Sequence, residues 1–444
     1  MKQTNNFKQT EIGMIPEDWR IEVVGTLVKI NEDTINKNYQ EENIEYIDTS
    51  SVDKGHLVRA QKLNLKEAPS RAKRIIKDHD ILISTVRPNL KHFFFVDKSK
   101  KNLVASTGFA VISSKNIFPK FLYYYLTTDS YTNFLSSIAD SHTSTYPSFN
   151  PDVIENSFCP RPKENEQQAI AKILSDLDSK IEINQRMNKT LEAIGQTIFK
   201  HWFVDFEFPN EEGNPYKRSG GEMVESELGE IPKGWKVLKM ENIAKKKKNS
   251  IVDGPFGTQL HSDEYIGEGI PVIRVINTSF EGRFINSKLV YISEEKSQEL
   301  VRSVVFPNDI LLAKTGATIG KFAMVPEYLK KGIIASSILK ISPSEHRKNK
   351  YFIFNFIKRL SDKKYWEKIS AGSTRPTINL SDVRKISLIC PSDQLMIDYD
   401  TVVNSFYSKL EKNEKESTKL SQIRDSLLPK LMSGKIRVHI EVRT

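Results

Sequence analysis

The chain has 444 residues, 38% of them hydrophobic and 27% charged, enough for two or three domains with sizeable cores. It has no apolar run of about 18 residues, no apolar stretch within the opening MKQTNNFKQTEIG, and only two cysteines. Neither a membrane span, nor a secretory leader, nor a disulfide framework is therefore expected, and a cytoplasmic protein is. A net charge of +10 favours a polyanionic partner, nucleic acid first among them.

Residues 11–21 read EIGMIPEDWRI, and the phrase returns as ELGEIPKGWKV at 227–237, 216 positions later (227 − 11). A period of half the chain is too long for a solenoid and indicates a duplicated domain. Trp19 and Trp235 sit inside the phrase, where each is expected to start a copy's first strand as a core aromatic. The echoes continue in order. DILISTVRPNLK (Asp80–Lys91) matches DILLAKTGATIGK (Asp309–Lys321), and ASTGFAVI (Ala105–Ile112) loosely matches ASSILKI (Ala335–Ile341). STYPSFN (Ser144–Asn150) matches STRPTIN (Ser373–Asn379), Asp152-Val153 matches Asp382-Val383, and Cys159-Pro160 matches Cys390-Pro391. The apolar triplets Ile81–Ile83 and Ile310–Leu312 read as buried strands, whereas Phe121–Asp129 and Tyr351–Leu360 read as buried helices. The fold class is mixed α/β, in two tandem copies. The two cysteines have no histidine-rich surroundings and read as buried small hydrophobes, not metal ligands.

Each copy ends in a long helical segment. Ile170, Leu177, Asn184, Leu191 and Ile198 repeat every seventh residue, with Ile173, Met187 and Ile194 three residues on from three of them. In the second copy Phe406, Asn413, Leu420 and Leu427 keep the same step, joined by Val402 and Ile423. Some 37 helical residues span roughly 55 Å. A polar Asn at the middle of each seam fixes register at a cost in stability. The pattern predicts an antiparallel intramolecular coiled coil with pseudo-twofold symmetry and Asn184 facing Asn413 at its midpoint. Such a rod with a domain at each end is a ruler. Laid on B-DNA it would touch two different base sequences about one helical turn, roughly 34 Å, apart. The expected target is bipartite and asymmetric.

The segment ENEQQAIAKILSDLDSKIEINQRMNKTLEAIGQTIFKHWFVDF (Glu164–Phe206) resembles the central region of the specificity subunits of type I restriction–modification enzymes. LLPKLMSGKIRV (Leu427–Val438) resembles that family's closing segment, and DGPFGTQLHSDEYIGEGIPVIRV (Asp253–Val275) and NDILLAKTGATIGK (Asn308–Lys321) resemble phrases of its target-recognition domains. The resemblance implies a non-catalytic DNA reader, with one recognition domain per half-site. It implies two DNA-methyltransferase subunits docked on the helices and restriction–translocase subunits joining them. S-adenosylmethionine, ATP and Mg would belong to those partners and not to this chain. The expected boundaries are 1–162 for the first recognition domain, 163–202 for the central helix and 203–226 for a Pro/Gly-rich linker. The second recognition domain follows at 227–391, the C-terminal helix at 392–433 and a tail at 434–444.

Several local motifs bear on that reading. TGATIGK (Thr315–Lys321) falls short of a phosphate loop, because its glycines are one residue too close and Phe322 replaces the Ser/Thr that would hold Mg. A tight turn between strands fits better, presenting Lys314, Thr315, Thr318 and Lys321. The other copy's turn carries Ser84, Arg87, Asn89 and Lys91, and Arg and Asn make paired contacts to guanine and adenine edges. The hydroxyl-rich loops HTSTYPSFN and SAGSTRPTINL suit phosphate contacts, or simply bond their own backbone. Ser144, Tyr146, Thr374 and Arg375 are their candidates. Lys245 and Lys246 belong to a four-lysine run, either a solvated face or a source of sequence-blind affinity. No [N/D]-P-P-[Y/F] methyltransferase motif, Gly-rich cofactor turn or catalytic triad is visible, so no active site is expected. The alternative is a coiled-coil scaffold that assembles partner proteins and binds DNA without specificity.

Overall fold

Asp80 and Asp309 each cap the turn that leads into a strand. The backbone N–H of Lys77 donates to Asp80 and that of Phe306 to Asp309, at 2.7 and 2.9 Å. Burial pushes both carboxyls above the usual carboxylate range. The apolar runs that follow, Ile81–Ser84 and Ile310–Ala313, are strands buried along their whole length. Around these two strands the computed structural model, which describes residues 6–142, 146–246, 248–345, 348–370 and 376–438, builds the same fold twice. It divides into two compact units, residues 1–183 with 416–444, and residues 184–415.

In the first unit Ile81–Ser84 is central to an antiparallel sheet ordered Phe93–Phe95, Ile81–Ser84, Phe109–Ser114, Val28–Ile30. A second sheet runs Gln61–Asn64, Asn43–Ile47, Leu103–Ser106, Ala72–Ile75, and its middle pair is parallel. A short ladder joins Arg20–Val23 to Phe158–Arg161. The second unit repeats every step. Its sheets run Phe322–Met324, Ile310–Ala313, Ile338–Ile341, Ile251–Asp253, and Val290–Ile292, Ile270–Ile273, Gly332–Ile334, Val304–Val305, again with a parallel middle pair. Lys236–Lys239 pairs with Ser387–Cys390 as the counterpart ladder. The predicted strands and buried helices are present, and Cys159 and Cys390 are both buried and unlinked.

The central helix (Glu164–Phe203) and the C-terminal helix (Asp393–Met432) each contribute to both units. In the first unit Ile170, Ala171 and Leu174 share an apolar cluster with Leu431 and Met432. There Arg424 donates to Asp178 at 2.7 Å and Lys180 faces Glu416 at 3.4 Å. Asp178 also accepts the hydroxyl proton of Tyr124, which ties the helix pair to the recognition fold. In the second unit Phe199 and Phe203 share a cluster with Met396, Tyr399 and Val403. The order of contacts is antiparallel in each unit, as expected.

Two details of the seam differ from the sequence reading. The sevenfold positions do face inward, with Ile170 and Asn184 fully buried. The second position of each repeat, however, lies four residues on and not three. Leu174, Ile181, Asn188 and Gly195 are buried, whereas Ile173, Met187 and Ile194 are exposed, as are Val402 and Ile423 on the other helix. Asn188 and Gly195 are polar or small, so the neighbouring apolar residues imitated the stripe. The partner of Asn413 shifts accordingly. Its amide donates to Asn188 Oδ1 at 2.8 Å, one turn along from Asn184, and Asn188 donates in turn to the Leu410 carbonyl at 3.4 Å.

Segments near both ends of the described chain are packed as well. Trp19 is buried and its indole N–H donates to Glu166 at 3.1 Å. Arg437, in the segment read as a tail, bridges Glu166 and Asp18, holding the Asp18 carboxyl below its ordinary range. The stretch read as a linker packs too. Phe206 and Phe208 are buried against Trp235, with the Phe208 ring stacked on it at 5.0 Å.

The asparagine pair yields a stability prediction. A buried amide that loses its partner costs about 1–3 kcal/mol, while replacing both partners by apolar groups is close to neutral. Asn413→Leu alone should lower the thermal unfolding midpoint by several degrees, and Asn188→Leu with Asn413→Leu should recover most of it. Calorimetry on the wild type, the two single variants and the double checks this; additive losses would contradict the pairing.

Candidate nucleic-acid interface

Register places several loops at one end of each recognition sheet. In the first unit, strands Val28–Ile30 and Ile81–Ser84 leave the sheet where Phe93–Phe95 and Phe109–Ser114 enter it. The turn 85–92 therefore emerges at the sheet end toward which Val28–Ile30 also runs. The turn then pairs with the hydroxyl-rich loop. Val86 bridges Ser148, Arg87 N–H donates to the Pro147 carbonyl at 2.8 Å, and Phe149 N–H donates to the Thr85 carbonyl at 3.0 Å. The second unit does the same with different side chains. Thr315 bridges Thr377, Gly316 N–H donates to the Pro376 carbonyl at 3.0 Å, and Ile378 N–H donates to the Lys314 carbonyl at 2.9 Å. Two segments about sixty residues apart in sequence thus form one surface in each copy, and nothing in the local sequence announces it.

The candidates occupy these surfaces unequally. Arg87 is exposed, and its guanidinium lies 5.0 Å from the ring centre of Tyr146, itself 66% exposed. Asn89 is exposed beside it. Lys91 is half-buried and bonded to Asp129 at 2.5 Å. Ser84 is buried, with its hydroxyl donating to the Val86 carbonyl at 2.8 Å, so it shapes the turn and does not face solvent.

In the second unit TGATIGK forms a single 3-10 turn, Gly316–Thr318, between two strands. Gly316 and Gly320 take the left-handed φ values of +63° and +86° that let the chain reverse there. Lys314 bonds Asp253 at 2.9 Å, which holds its ammonium at the base of the turn. Thr318 donates to the Thr315 carbonyl at 2.9 Å, and Thr315 is half-buried. Lys321 lies over the Phe280 ring at 5.4 Å. Lys245 is ion-paired with Glu345 and Lys246 is exposed. Ser144, Thr374 and Arg375 lie outside the described residues. Three residues of this surface were not singled out from the sequence: Asp253, Arg302, which also bonds Asp253 at 3.3 Å, and Phe256, 71% exposed. An aromatic set in a Gly-Pro-x-Gly turn was the available signal for the last.

Among the described residues no group of three or more His, Cys, Asp or Glu is placed to hold a metal ion, and no helix is long and apolar enough to cross a membrane.

The model of the type I restriction modification DNA specificity domain matches residues 16–193 and again 232–423, most of the chain in two copies. The chain belongs to the type I restriction–modification DNA specificity family. It is similar to the type I restriction enzyme HindI specificity subunit of Haemophilus influenzae, 27% identical over 448 positions covering 89% of this chain and 94% of that one. It is also 27% identical to the type I restriction enzyme MjaIX specificity subunit of Methanocaldococcus jannaschii, over 97% of this chain and 96% of that one. The crystal structure of the type I restriction–modification S subunit from M. genitalium shares the fold, with a TM-score of 0.57 at 17% identity, covering 97% of this chain and 98% of that one. As a specificity subunit the chain recognises DNA within a restriction–modification complex and is not itself the enzyme.

The exposure of these side chains separates their expected effects. An Arg paired to a base edge contributes about 1–3 kcal/mol of discrimination. Arg87→Ala should weaken specific duplex binding roughly tenfold or more. Ser84→Ala should leave binding unchanged. Titrations of the two variants against one duplex check the contrast; equal effects would contradict it.

Proposed function

We propose that this specificity subunit reads a bipartite, asymmetric DNA target, the recognition domain at 1–162 taking one half-site and that at 227–391 the other. One observation carries the reading. The same turn-and-loop surface occurs on two sheets of identical topology, with Arg87, Asn89 and Tyr146 on one and Thr315, Thr318 and Lys321 on the other. A retained frame with changed side chains suits two different base sequences, because base edges are read by side chains while backbone geometry positions them. The helices at 163–202 and 392–433 serve as the spacer between the half-sites.

The outer faces of those helices support docking of two methyltransferase subunits. Ile173, Ile183, Met187 and Ile194 of the central helix are exposed, and so are Val402 and Ile423 of the C-terminal helix. Apolar side chains along a solvent-facing stripe mark a protein contact more often than chance. Restriction–translocase subunits join that complex, and S-adenosylmethionine, ATP and Mg act in the partners. The scaffold alternative gains no support from two recognition surfaces with organised, distinct side chains.

The test is the adenine methylation pattern of host DNA with and without the gene. Loss of one split, asymmetric motif on deletion is the expected result. An unchanged pattern in a host whose partner subunits are expressed would contradict the proposal.

A further inference from the structure

Strand Ile251–Asp253 leaves its sheet at the same end as the Lys314–Lys321 turn, and the residues after it form a second projection. Its base is pinned. Asp253 accepts from Lys314 at 2.9 Å and from Arg302 at 3.3 Å, and Gly254 N–H donates to the Ile338 carbonyl at 2.9 Å. Gly254 lies so close to the neighbouring strand end that a Cβ would stand 2.1 Å from the Ala335 carbonyl oxygen. Pro255 is buried beside it. The tip is closed on itself: Phe256 N–H donates to Gln259 Oε1 at 3.0 Å, and Gln259 N–H donates to the Phe256 carbonyl at 2.8 Å.

On this clamped turn Phe256 stands 71% exposed. An aromatic ring in water is disfavoured, and here a fixed backbone, not a loose loop, keeps it there. Phe280, 47% exposed, lies at the same sheet end with the Lys321 ammonium over its ring. Lys314 and Arg302, both bonded to Asp253, flank the base of the turn that carries Phe256. Proteins that deform DNA insert such apolar side chains between base steps, unstacking and kinking them, while neighbouring cations hold the phosphates.

We propose that Phe256 is a wedge that unstacks one base step in the half-site read by the second domain, an inference that rests on the DNA-recognition reading above. Among the described residues the first domain has no equivalent. Its counterpart strand, Val28–Ile30, is followed by Asn31-Glu32-Asp33, and its exposed aromatics lie elsewhere, Tyr146 against Arg87 and Phe134 on the helix Asp129–His142. The deformation therefore belongs to one half-site only. Pyrimidine–purine steps, which unstack most readily, are favoured there.

The test uses the full chain assembled with its methyltransferase subunits and duplexes carrying the mapped methylation motif, with 2-aminopurine placed in turn along both half-sites except at the methylated adenines, which methyltransferases themselves turn out of the stack. The expected result is a severalfold rise in fluorescence at a single step. Phe256→Ala should abolish that rise and weaken binding about tenfold, the scale of one lost base–aromatic contact, and Phe256→Trp should retain both. No rise at any step, or one that survives Phe256→Ala, overturns the wedge while leaving DNA recognition standing. If Phe256→Ala instead reduces methyltransferase binding and leaves the fluorescence unchanged, the ring is a protein contact and the wedge is also overturned. A wild-type complex that does not prefer the motif duplex over a scrambled one defeats the DNA-recognition reading itself.

Discussion

Antiparallel pairing of two long helices is the constraint on which the rest of the structure depends. Neither recognition fold closes its core alone. The first needs Ile170 and Leu174 from the start of the central helix and Leu431 and Met432 from the end of the C-terminal one. The second needs Phe199 and Phe203 together with Met396, Tyr399 and Val403, the opposite ends of the same two helices. Burying a side chain of this kind stabilises by about 1.5–3 kcal/mol, so losing one helix end would remove several such contributions from a core. The pairing also draws the two ends of the chain together, through Trp19, Glu166 and Arg437. At the centre the seam turns polar, with Asn184, Asn188 and Asn413 all buried. Buried amides stabilise less than leucines would, and in exchange they reject slipped registers.

Duplication followed by divergence accounts for how function sits on this frame. Strand order, the parallel pair in one sheet and the pairing of the turn with the hydroxyl-rich loop are the same in both units. What changes is the decoration. Where the first unit places an exposed guanidinium over a tyrosine ring, the second uses threonines and a lysine held down by Asp253. Backbone positions are set by ladders that tolerate many side chains, so recognition residues can vary without loss of the fold.

Much of this was legible in the sequence because it depends on pattern. The repeated Ile-Pro-x-x-Trp phrase, the Asp-led apolar triplets and the sevenfold spacing each report a local rule, and strands, helices and duplication followed from them. The second seam position was misread because Asn188 and Gly195 hold buried places while Ile173, Met187 and Ile194 are exposed. Hydrophobic periodicity is blind to a polar interior. The partner of Asn413 shifted for the same reason. At the recognition surface the turn residues were identified, but not that Ser84 is buried or that Lys314 is tied to Asp253. Those depend on contacts between segments distant in sequence. Arg437 was invisible in the same way, since its importance comes from Asp18 and Glu166, which lie hundreds of residues away.

The central claim is that helix length sets the distance between two half-sites. The direct measurement adds one heptad to each long helix, after Ile183 and after Lys415, so that the seam stays in phase, and maps the methylated motif. Seven residues lengthen a helix by about 10 Å, close to three base pairs of B-DNA. The expected motif keeps both half-site sequences and gains about three base pairs of unread spacer. The original spacing, still methylated by the lengthened protein, would contradict the claim.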